Sequence, residues 1–172
     1  MDFELKPLTK AGIPGAIEKA RQYRLLNEPG TAESICRDIL LVDKAHHEGR
    51  VLLLLTLTDM FAGSISGHYE EAYRTAQSLG DPYERAYYTG IVYERRAKAH
   101  QRAQAPQSGI IAHAWLVKAM AAFEEAERLR PPGDDKAILR WNSCVRALRA
   151  AGGVGEGEAR LDWEADFVPH RR

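Results

Sequence analysis

The residues of this 172-residue chain that are able to do chemistry are scattered, and their spacing argues against a reaction centre. The histidines fall at His46, His47, His68, His100, His113 and His170, with no His-Glu-x-x-His pair and no Cys-x-x-Cys beside them. A zinc site needs three or four convergent ligands. His100 and His113 flank a segment that a helical hairpin would fold back on itself, but two imidazoles alone are an incomplete ligand set. Cys36 and Cys144 occupy apolar stripes, where a thiol behaves as a small hydrophobe. Two scattered cysteines build no disulfide framework and suit a reducing cytoplasm. Ser34, Ser64, Ser66, Ser108 and Ser143 lack a Gly-x-Ser-x-Gly setting. The run Gly152-Gly-Val-Gly-Glu-Gly157 follows a helical pattern rather than a strand and has no Gly-Lys-Ser/Thr ending, so it reads as a linker. The chain is therefore expected to be non-enzymatic, with no cofactor and no metal.

Charge carries more information. Lys+Arg and Asp+Glu balance at 24 each, whereas a protein that grips phosphate backbones shows a basic excess, so no nucleic-acid partner is expected. Arg95, Arg96, Lys98 and Arg102, with His100, spread around a helix and predict a segment projecting into solvent, its cations favourably near the helix C-terminus. The functional alternative is a docking site for an acidic partner peptide or, second to it, RNA. A second charged feature is Glu158-Ala-Arg-Leu-Asp-Trp-Glu-Ala-Asp-Phe-Val-Pro169, acidic and carrying Leu161, Trp163 and Phe167. Large apolar residues in a tail are costly to leave in water. This docking tail is expected to lie on its own helices, on a second copy, or on another protein.

The elements that position these groups are helical throughout. Pro14 opens a helix in which Ala16, Ala20, Tyr23 and Leu26 recur at helical spacing, up to a break at Asn27-Glu-Pro-Gly30. Thr31 is the expected cap of the next helix, whose stripe is Ala32, Ile35, Cys36, Ile39 and Leu40. Val51 to Phe61 is apolar nearly all round and predicts burial between neighbours; at this length it cannot span a membrane. The N-terminus shows no basic-then-apolar signal, and a cytoplasmic location is expected. Gly63-Ser-Ile-Ser-Gly67 interrupts the pattern before a helix from His68 to Leu79, stopped by Gly80-Asp81-Pro82. A further pair carries Ala86, Thr89, Gly90 and Tyr93, then Ala119, Phe123 and Ala126 before Pro131. Small residues on one helical face admit a close neighbour, and one ring fills the gap. A last helix runs from Asp134 to Ala150, with Lys136, Arg140, Arg146 and Arg149 available for a solvated face.

Ala119, Phe123, Ala126 and Pro131, preceded by Gly90 and Tyr93 and echoed by Ala20, Tyr23 and Ala32, resemble the signature of the tetratricopeptide repeat. The resemblance implies an all-α right-handed superhelix of about three antiparallel helix pairs (13–44, 47–81 and 83–131) and a capping helix over 134–150; the glycine content and the acidic, aromatic composition set 153–172 apart as a linker and tail. A compact helical bundle is the rival architecture. The third unit exceeds the ~34 residues of the family, with about 15 extra around Arg95 to Ile111. By the family's logic the first helices line a concave groove. That assigns Arg21 and Arg24, then Leu55, Thr58 and Asp59, then Tyr87, Ile91, Glu94 and Arg95, with Asn142 on the cap. The carboxylate clamp of some family members is missing, since its sites fall on Ile17, Arg21, Tyr87 and Ile91. The implied role is an interaction module, an adaptor or assembly scaffold, holding a peptide or protein segment. The alternative is a homo-oligomer built through exposed helical faces or the tail.

Overall fold

The computed structural model describes residues 3–61, 65–103 and 105–151; the linker and tail expected over 153–172, including Leu161, Trp163 and Phe167, lie outside them. Among the described residues the chain is all-helical, without strands. A turn of 3-10 helix (Lys10–Gly12) leads into α1 (Ile13–Leu25), followed by α2 (Pro29–Val42), α3 (His47–Asp59), α4 (Ile65–Gln77), α5 (Pro82–Ala103), α6 (Ser108–Leu129) and α7 (Lys136–Ala150). Each α-helix packs on the next in sequence, and contacts also join α1 to α3 and α3 to α5. No helix among the described residues is long and apolar enough to cross a membrane.

Several helix ends differ from the sequence expectation for local reasons. Proline presets the helical φ and has no N–H to leave orphaned, so α2 begins at Pro29 rather than after a Thr31 cap. Thr31 sits inside the first turn, its hydroxyl directed at Glu28. Asn27 takes a left-handed φ of 59°, which ends α1 and leaves Leu26 outside the helix and exposed, not on the buried stripe. His46 caps α3: its Nδ1 accepts from the Gly49 N–H at 3.1 Å. The next imidazole, His47, places Nε2 3.2 Å from Glu84 Oε1. α4 starts at Ile65 instead of His68, and Leu79, beyond its end, is still buried. At α7 the Asp134 carboxylate accepts from the Lys136 N–H, so it serves the helix start from one residue outside the cap position.

Burial follows the small-and-aromatic pattern. Ala20, Ala32, Cys36, Ile39, Leu54 and Leu57 are fully enclosed in a core shared by α1, α2 and α3, to which α4 adds Tyr69, Ala72 and Ala76. α3 buries Leu52, Leu53, Leu54, Thr56, Leu57 and Thr58 on almost every side, as a helix between neighbours must. The segment from Arg95 to Ile111 is taken up largely by helix, so that α5 and α6 reach 22 residues each and pack along one another. They meet tightly at Gly90: a Cβ there would lie 2.5 Å from Cε1 of Phe123, whose ring is fully buried. Cys36 and Cys144 are buried free thiols, and desolvation pushes each up to about 11.

One exposed ion network joins α2 to α4. Arg37 Nε donates to Glu33 at 2.8 Å, while its two terminal nitrogens meet the Glu71 carboxylate at 3.0 and 2.9 Å. The hydrogen bond from Arg37 holds the Glu71 carboxyl below its ordinary range. A depressed folded value stabilises the fold above the unfolded carboxyl pKa of about 4.3, and that contribution disappears as pH falls through the folded value. The side chains are 45% and 33% exposed, so solvent screening limits the effect. Arg37→Gln is expected to lower stability by less than ~1 kcal/mol at pH 7. Thermal melts should show the gap to wild type narrowing toward pH 3; a gap constant with pH would contradict this account.

Candidate functional site

The C-terminal ends of α1 and α3, the start of α2 and the second half of α5 converge on a cleft of about 540 Å³. Arg21, Arg24, Leu25, Asn27, Pro29, Asp59, Arg95 and Arg102 line it. The volume lies within the range of small ligand sites. The chemistry is uneven: four guanidinium groups face one carboxylate.

Local helix structure explains how this comes about. Arg21 and Arg24, one turn apart on α1, share a face. Asp59 is the last residue of α3 and accepts from two sides. Arg24 Nε donates to its Oδ2 at 2.8 Å, and Arg95 Nη1 donates to its Oδ1 at 3.1 Å. One carboxylate thus ties α1 and α5 to the end of α3. Arg21 donates to Glu18 at 2.7 Å and also contacts Glu48. Arg102 is exposed on the last turn of α5, and no ion pair joins it to the described residues. Arg95 Nε is buried without an acceptor among the described residues. Beside these cations Leu25 is 88% exposed, giving the rim an apolar contact.

The structure brings Arg21, Arg24, Asp59 and Arg95 of the expected groove to one wall and removes the others. Thr58 is buried, its hydroxyl donating to the Leu55 carbonyl at 2.7 Å, and Leu55 itself is half-buried between two core clusters. Ile91 and Glu94 are both 1% exposed. They are covered where α7 lies along this part of α5, with Cys144 and Trp141 in the cluster with Ile91. Glu94 there accepts from Lys98 Nζ and, at 3.4 Å, from Arg140 Nη1. Tyr87 packs on Phe123 with centroids 6.0 Å apart. Asn142 is half-buried on α7 and does not line the cleft. The cleft is therefore lined from α1, the turn into α2, the start of α2, the end of α3 and the second half of α5, and not from the last helix.

The basic segment of α5 also differs from its expected role as a projecting end. Arg96 lies over two rings, 3.9 Å from the Tyr69 centroid and 4.7 Å from that of Trp115. Lys118 adds a second cation at 4.5 Å from Trp115. These stacked contacts between α4, α5 and α6 hold the guanidinium inside the aromatic cluster Tyr69–Tyr73–Tyr93–Trp115. His100 is half-buried, and desolvation followed by the charge of Arg96 lowers its pKa, favouring the neutral ring. Of that basic segment, Arg95 and Arg102 reach the cleft. No group of three or more His, Cys, Asp or Glu among the described residues is placed to hold a metal ion.

Leu25, Asn27, Pro29 and Arg102 complete the lining beyond the expected groove positions. For Asn27 and Pro29 the available signal is the turn itself, which bends the chain across the end of α1. Comparison with protein-family models, curated proteins and solved structures finds no match for this chain.

Proposed function

We propose that the chain is a short tetratricopeptide-like solenoid acting as a non-enzymatic interaction module. Its cleft takes an acidic, partly apolar peptide or protein segment. The observation that carries this reading is the concentration of Arg21, Arg24, Arg95 and Arg102 around a single Asp59, with Leu25 exposed at the edge. Guanidinium groups are well matched to carboxylates because their N–H donors pair with both oxygens. The repeat architecture is supported by the contacts from α1 to α3 and from α3 to α5, the pattern expected of stacked first helices, and by the Gly90–Phe123 approach.

A fluorescein-labelled octapeptide of alternating glutamate and leucine tests the cleft. Its binding by fluorescence anisotropy is expected to weaken as salt rises from about 50 to 500 mM, since charge attraction in an open cleft is screened. The double variant Arg95→Gln/Arg102→Gln is expected to bind about tenfold more weakly, a loss of ~1.4 kcal/mol. Retained affinity in a variant with an unchanged melting temperature would remove the cleft as the binding site.

A further inference from the structure

Resting on the cleft reading above, we infer that an occupant of the arginine cleft is this chain's own segment Asp162–Phe167, held in cis as a competing ligand. Three observations point to it: charge, apolar character and the place where the described chain ends.

Asp162, Glu164 and Asp166 supply three carboxylates within five residues, with no basic residue among them. The cleft carries four arginines; Asp59 pairs with Arg24 and Arg95, and Glu18 and Glu48 pair with Arg21, so four cations against three carboxylates leave a surplus of one positive group, on the Arg102 side. Trp163 and Phe167 alternate with those carboxylates, and the cleft presents Leu25 and Pro29 beside its cations. The segment therefore matches the cleft in both kinds of contact.

Position is the third argument. Arg140 of α7 meets Glu94 of α5, and one turn further along each helix Cys144 and Ala97 are buried in the same cluster. α7 thus runs beside α5 in the same direction. From Arg140 to the last described residue, Ala151, the chain advances ~16 Å, and from Glu94 to Arg102 it advances ~12 Å, at 1.5 Å per residue. The exit of the chain is therefore level with the end of α5 that carries Arg102. Between Ala151 and Asp162 stand Gly152, Gly153, Gly155 and Gly157. A glycine-rich chain of this length has a root-mean-square span of ~17–20 Å and a maximum reach near ~40 Å. A tether of that kind gives an effective concentration in the millimolar range, so even a contact weak in trans is populated in cis.

Disulfide trapping in the full chain tests the inference. Asn27→Cys places a thiol in the cleft wall, Ala165→Cys places one in the segment, and Glu127→Cys provides an exposed control at the opposite end of α6. The native thiols are buried and stay out of the reaction. Under mild oxidation at low salt, the Asn27→Cys/Ala165→Cys chain is expected to form an intramolecular disulfide. The Glu127→Cys/Ala165→Cys chain should form little. Adding Asp162→Asn, Glu164→Gln and Asp166→Asn should reduce the cleft disulfide several-fold. The same three substitutions in the native chain should raise affinity for the glutamate–leucine probe about three- to tenfold by removing the competitor. Equal trapping at both reporters, trapping indifferent to the acidic residues, or a disulfide found only between two chains would overturn the inference. If the probe binds through Arg95 and Arg102 yet no cis trap forms, the cleft reading stands and the tail assignment falls. If the probe binds neither the native nor the neutralised chain, the cleft reading itself fails.

Discussion

Phe123→Ala is expected to destabilise the fold by about 3–5 kcal/mol, measured by urea unfolding, because it empties a fully enclosed site between α5 and α6. The ring rests on Gly90, where even a methyl group would come within 2.5 Å of it. Gly90→Ala is accordingly expected to cost about 1–3 kcal/mol by overpacking, despite the ~1 kcal/mol that alanine gains over glycine in a helix interior. The combination separates this account from a general intolerance of the helix. With Phe123 already truncated, the space is open, and Gly90→Ala should become neutral or stabilising by up to ~1 kcal/mol. Additive losses in the double variant would mean that Gly90 serves something other than the ring.

The second large effect concerns Glu94, a carboxylate 1% exposed and neutralised from two directions by Lys98 on its own helix and Arg140 on α7. Replacing both cations, Lys98→Met with Arg140→Met, leaves the negative charge enclosed without a partner. The expected loss is about 3–5 kcal/mol. Adding Glu94→Met removes the stranded charge and should restore most of the stability, since an apolar group of similar length fills the same space. Urea midpoints of the native chain, the double variant and the triple variant give the comparison. A double variant within ~1 kcal/mol of the native chain would contradict the enclosure of Glu94. No recovery in the triple variant would show that the two long side chains act through packing alone.

The helical class was legible because its causes are local. The intervals between Ala119, Phe123 and Ala126 put three side chains on one face, and all three are fully buried. Arg21, Arg24, Asp59 and Arg95 were legible as exposed positions on first helices, and they do share a wall. The rest depended on partners far away in sequence. Nothing near Glu94 announces its burial; Arg140, 46 residues on, decides it. Arg96 looked solvated because Tyr69 and Trp115, the rings it covers, come from α4 and α6. Arg102 shares the cleft with Asn27 and Pro29, which lie more than 70 residues earlier in the chain.

The position of Asp59 bears on how long any visitor stays. Arg24 and Arg95 already hold a carboxylate, so an acid that reaches these two arginines would exchange one ion pair for another. The net gain is the difference between two similar contacts, and part of it is screened by salt. Such an arrangement favours quick arrival and quick release over long residence. Were the cleft to take an acidic segment as proposed, Asp59 would make it a place of turnover, since the same pair of arginines already holds a carboxylate.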